Sequence, residues 1–148
     1  MKTISSALAN EVWETVTITS SLVTNTTVTA KRRREGDSAR YRVFVSFSGA
    51  PDAGELTLTL PAGDVIDTTK LPGGTSPNQN LGFGNYKDAT ANRYPTIDVW
   101  YLSTTTVYVL SGTYTAVPNT LEVNGTQAIA LIASGDSIYC EFLVPLVQ

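Results

Sequence analysis

From Thr27 to Gly63 the chain is written in a two-residue period. Across Ser38–Ser48, Ala39, Tyr41, Val43, Val45 and Phe47 share one side. Arg40, Arg42, Ser46 and Ser48 share the other with Phe44. Successive side chains of a strand point to opposite faces, so this pattern predicts one face on a core and one on solvent. The charged turn Glu35-Gly36-Asp37 joins this run to Thr27–Arg32, which predicts a hairpin. A third run, Glu55–Leu60, sets Leu56, Leu58 and Leu60 inward and stops at Pro61, which cannot donate to a ladder. Strand, turn, strand, strand is a β-meander, and no helical period competes with it.

The rest of the chain repeats that grammar. Val12–Thr19 alternates Val12, Glu14, Val16 and Ile18 against Trp13 and three threonines. Thr68–Asn80 is rich in Gly, Pro and Asn and reads as a long surface loop. Leu81–Tyr86 is a weak strand whose Gly82 and Gly84 allow a bulge or a close backbone approach. Thr96–Leu102 and Thr106–Leu110 bracket a second hairpin; Thr120–Val123 is a short strand. Gln127–Ala133 and Ser137–Leu143 flank a last turn at Gly135-Asp136. The 22 Thr and 14 Val suit a pleated surface, and the 11 Gly and 7 Pro supply its turns. Eight to ten strands at this spacing predict an all-β, antiparallel sandwich or barrel. A chain of 148 residues is expected to be one domain over 12–148, with 1–11 as an N-terminal arm.

Several chemistries are absent from the composition. There is no histidine, hence no Ser-His-Asp or Cys-His site. Cys140 is the single cysteine, so neither an intrachain disulfide nor a zinc cluster can form. Asp64 and Asp67 lack the ligand-dense loop of a calcium site, and no cofactor is expected. Asp98 and Glu141 are the best carboxylate pair for a hydrolase, but no motif supports them, so a non-enzyme is expected. No run approaches the about 20 apolar residues that span a bilayer. The N-terminus does not read as a secretory signal, which places synthesis and assembly in a cytoplasm, with no membrane partner.

Three features concern partners. The closing run SIYCEFLV sets Ile138, Cys140, Phe142 and Val144 on one side, and Tyr139 and Leu143 on the other. A strand apolar on both faces is covered on both, and a second copy of the chain is the expected cover. Tyr139, Leu143 and Leu146 are the candidate subunit-interface residues. Next, six of the ten basic residues fall between Lys31 and Arg42 in a chain of net charge −3. Arg32, Arg33 and Arg34 form a candidate handle for an acidic protein surface; a solvated hairpin end is the plain alternative. Nucleic acid fits poorly, because the protein is acidic and the cluster lacks interleaved aromatics. Finally, Trp100, Tyr101, Tyr108, Tyr114, Tyr86 and Tyr94 are candidates for stacking on sugars, although strand aromatics more often pack in a core.

The order of these pieces resembles a jelly-roll domain of bacteriophage structural proteins, related to trimers of the tumour-necrosis-factor type. The matching pieces are Trp13, the Arg33-Arg34-Glu35-Gly36-Asp37 hairpin, Leu60-Pro61-Ala62-Gly63, and Gly135-Asp136 with Pro145. The resemblance implies an antiparallel jelly-roll sandwich, a homotrimer, and a place on the virion surface. It implies either a capsid decoration (cement) protein bound to the major capsid protein or the tip of a tail fibre, the latter with a host-surface glycan as partner. With the first strand expected near residue 12, no shaft or anchor precedes it, and decoration is the expected role.

Overall fold

In the computed structural model, which describes residues 12–52, 54–74, 79–111, 122–123 and 132–148, the predicted hairpin is the spine of the molecule. The first strands are β1 (Glu14–Val16), β2 (Thr19–Ser20), β3 (Thr26–Glu35), β4 (Ser38–Phe47), β5 (Gly54–Glu55) and β6 (Thr57–Thr59). Then follow β7 (Asn80–Lys87), β8 (Thr96–Tyr101), β9 (Thr106–Ser111), β10 (Glu122–Val123) and β11 (Ser137–Pro145). One 3-10 turn, Thr68–Lys70, is the only helical element among the described residues. β3 and β4 pair from Thr26↔Phe47 to Glu35↔Ser38 through the Gly36-Asp37 turn. Gly36 takes φ 64° at the first turn position, as a type II′ hairpin demands.

Nine strands form one antiparallel sheet in the order β1-β3-β4-β11-β7-β8-β9-β6-β2; β5 and β10 form a separate pair. The sheet's two edges belong to one short stretch of chain. β1 pairs with β3 at Glu14↔Arg32 to Val16↔Ala30, and β2 pairs with β6 at Thr19↔Thr59 and Ser20↔Leu58. The sheet therefore curls until its ends meet at Glu14–Ser20. The expected single strand over 12–19 is split instead. Thr17 and Ile18 carry the chain from one edge to the other, and Ile18 is buried at the crossing.

Alternation places the core inside the curl. Ala39, Tyr41, Val43, Val45 and Phe47 of β4 meet Ile138, Cys140, Phe142 and Val144 of β11, with Tyr86, Ile97, Val99, Val107 and Val109 opposite. The Tyr41 and Phe142 rings stack at 5.1 Å. Burial of the Cys140 thiol pushes its pKa up to about 12, so it behaves as a small hydrophobe. Leu146 corrects one expectation. It lies on the inner face, 1% exposed, and bridges to Ile66, so its side chain is unavailable to a second subunit. The expected arm at 1–11, most of the Gln127–Ala133 strand and Tyr114 fall outside the described residues.

The backbones of β11 and β7 approach closely, and the two strand glycines permit it. Gly84 pairs with Cys140 and Gly82 with Phe142. A Cβ on Gly84 would collide with the Tyr139 carbonyl and stand 2.7 Å from Cys140 Cα. One on Gly82 would collide with the Glu141 carbonyl and stand 2.6 Å from Phe142 Cα. Backbone cannot yield here as the tip of a side chain would. Gly84→Ala is expected to cost more than about 3 kcal/mol or to abolish cooperative unfolding followed by circular dichroism. Gly36→Ala, strained but in open space, is expected to cost about 1 kcal/mol.

Candidate functional site

The two faces of β3 separate the three arginines named above. Ala30 faces the core, so Arg32 and Arg34 lie on the inner side and Arg33 on the outer. Arg32 donates to Asp64 at 2.5 Å and to Glu14 at 2.6 Å, and Arg34 reaches Asp64 at 3.2 Å. Asp64 is buried, 3% exposed, and also accepts from the Tyr41 hydroxyl at 2.5 Å. Two guanidinium groups and a phenol thus neutralise one buried carboxylate at the Ser38 end of the curl. Burial and the adjoining carboxylate push the Tyr41 hydroxyl well above its ordinary range. Arg32, Arg33 and Arg34 therefore do not form one handle; two of them close the end of the core.

A matching plug sits at the opposite end. Buried Asp136 accepts from the Tyr86 hydroxyl at 2.6 Å and from the Ala89 and Ala133 amides at 2.8 Å. Its own carbonyl accepts from the Phe47 amide. Asp88, also buried, accepts from the Ala91 amide at 2.8 Å and from Arg93 at 3.2 Å. Neither Asp64 nor Asp136 stood out as a site residue in the sequence. The available signal was a Gly-Asp step at a strand end, Gly63-Asp64 and Gly135-Asp136, each with its glycine at positive φ. Asp64 and Asp67 do not converge, since Asp67 caps the Thr68–Lys70 turn and reaches Lys70. No group of three or more metal-ligating side chains occurs among the described residues.

The outer face of β3, β4, β11 and β7 carries the exposed chemistry. Arg33 and Arg40 both bind Glu35, at 2.5 and 2.8 Å, and Arg40 and Arg42 both bind Glu141, at 3.3 and 3.1 Å. Hydrogen bonds from Arg40, then Arg33, hold the Glu35 carboxyl down to about 2. Trp13 lies against this ladder, with the Arg42 and Arg33 guanidinium carbons 4.3 and 5.0 Å from its ring centre. Beside it run apolar side chains without cover: Phe83 (73% exposed), Phe44 (44%), Tyr139 (39%) and Leu143 (36%). Tyr139 is the register partner of Phe44, and Glu141 of Phe83, so the four are near neighbours around one carboxylate. Two of the three expected interface residues, Tyr139 and Leu143, are thus on the outer surface.

The candidate sugar-stacking aromatics that are described, all but Tyr114, do not converge on one site. Tyr86 and Tyr101 are core residues, Tyr94 is exposed on the loop before β8, and Trp100 pairs with Tyr108 on the outer face. Asp98 lies opposite Phe83, with Glu141 on that residue's other side, and Glu141 is held by two arginines. No protein-family model matches the chain, and no curated protein or solved structure matches it either.

Two predictions test this electrostatic account. Asp64→Ala leaves Arg32, Arg34 and Tyr41 without their acceptor and is expected to cost about 3–5 kcal/mol in urea unfolding. Glu35 has a folded pKa depressed from its ordinary 4.5 to about 2. Its contribution is complete above the ordinary value and is lost as pH falls through about 2. The melting temperature is therefore expected to drop over that acidic window, and Glu35→Gln to flatten the drop while costing about 1 kcal/mol at neutral pH.

Proposed function

We propose that this chain is a non-enzymatic structural subunit of a phage virion, a jelly-roll module that trimerises and decorates the finished capsid. The observation that carries the reading is the uncovered apolar face of β4, β11 and β7, around Phe83, Tyr139 and Leu143. Isolated surface hydrophobes are ordinary, but a contiguous set beside an internally paired ionic ladder is the chemistry of a protein contact. The ladder's arginines and glutamates are already paired within the chain, so this face meets another without leaving buried charge unpaired. The order of sequence motifs that resembles phage jelly rolls supplies the partner, the major capsid protein, and the place, the virion surface.

Decoration needs no bond to be made or broken. A trimer seated where shell subunits meet binds the assembled state and not the free subunits, and by linkage it stabilises the shell. Several weak contacts made together yield avidity that none has alone.

The expected result in sedimentation velocity is a species of three 15.8 kDa chains. Phe83→Ser with Leu143→Ser is expected to give a folded monomer whose melting temperature no longer depends on protein concentration, because both side chains lie outside the core. A wild-type monomer at micromolar concentration overturns the assembly. Deleting the gene from the phage genome is expected to leave infectious particles whose shells fail sooner on heating. Intact shells with lost adsorption would move the protein to the fibre tip.

A further inference from the structure

We infer that the groove between the crossing segment at Thr17–Ile18 and the outer face of β3 and β4 binds a carboxylated sugar. The groove exists because the sheet closes as it does. β1 covers only Ala30–Arg32 of β3 before the chain leaves for the other edge. The departing residues form one wall, β3 and β4 form the floor, and Tyr139 of β11 stands at the far side. The space is about 500 Å³, within the range of small-ligand clefts.

Its lining has three kinds of group. The Phe44 and Tyr139 rings, both part-exposed, offer flat apolar surface at one side. Thr15 and Thr17 also line the space, and their hydroxyls make no hydrogen bond among the described residues. Lys31 and Arg42 bring positive charge, and no acidic residue lines the space. Lys31 is exposed and makes no ion pair among the described residues. Arg42 gives its Nε to Glu141, and its guanidinium plane rests on Trp13, which fixes its position.

A pyranose carries one apolar face and a rim of hydroxyls, which fits a ring against two aromatics and a wall of threonines. The cations require an anion on that ring, and a carboxylate beside Lys31 makes a charge-assisted hydrogen bond. The net charge of −3 works against a polyanion such as nucleic acid, whereas a single carboxylate meets only the local positive field. The groove shares Tyr139 with the face proposed for trimerisation, so its test includes a variant that loses Phe83 and Leu143 but keeps Tyr139.

The test is calorimetry and ligand-observed NMR with the methyl glycoside of galacturonate and its methyl ester, which differ by one carboxylate charge and one methyl group. The acid is expected to bind in the millimolar range, and the ester at least roughly tenfold more weakly. Lys31→Gln is expected to remove that preference without changing the melting temperature, and Lys87→Gln to leave it intact. The Phe83→Ser, Leu143→Ser protein should still bind, so failure of the groove and failure of the assembly are told apart. Equal binding of acid and ester, no binding of either, or insensitivity to Lys31→Gln overturns the site. Equal binding of a glutamate-rich peptide overturns the sugar as its ligand.

Discussion

One stretch of chain, Glu14–Ser20, supplies ladder partners to both ends of a nine-stranded sheet, and the rest of the molecule follows from that closure. An open sheet of this size would present two rows of unpaired backbone groups and a wet inner face. Joining both edges through one segment encloses the inner residues of β4, β8, β9 and β11. Closure is accompanied by a close backbone approach of β7 to β11, which Gly82 and Gly84 permit. It leaves two ends to be stoppered as well. Both are filled by a tyrosine hydroxyl on a buried aspartate, Tyr41 on Asp64 and Tyr86 on Asp136. These carboxylates are tolerated because each is saturated with donors, two of them arginines at Asp64.

With the inside so committed, the exposed chemistry of the described residues lies on the outer surface. The ionic ladder there is internally paired: Glu35 and Glu141 each hold two arginines, with Arg40 shared between them. Among the described residues, the side chains of that face outside the ladder include Phe83, Leu143, Tyr139 and Phe44 and the exposed Lys31 and Lys87. A surface whose charges are internally paired offers shape and apolar area to a partner more than net attraction.

The first hairpin, the Thr96–Ser111 hairpin and the closing strand were legible in the residues because period-2 polarity is a local signal. The apolar outer side of β11 was legible for the same reason, at Tyr139 and Leu143. Leu146 was misplaced because parity, which sends it inward with Val144, was outweighed by its apolar character. Val12–Thr19 was read as one strand because its alternation is continuous, yet the chain changes partner at Thr17–Ile18. The Arg32-Arg33-Arg34 run looked like a single patch because sequence adjacency hides the face on which each side chain emerges. The groove had no sequence signature at all, since its walls come from segments far apart in the chain.

The sequence by itself determined the class: all-β, antiparallel, turned at Gly36-Asp37 and Gly135-Asp136, without histidine chemistry or cross-links. Side-chain period and turn stereochemistry act over a few residues, so they can be read along the chain. Tertiary structure alone decided which strands are neighbours, where the sheet closes, and that Asp64 answers two arginines about thirty positions away. Those are outcomes of packing and of desolvated charge, which depend on distances in space and leave no local period behind.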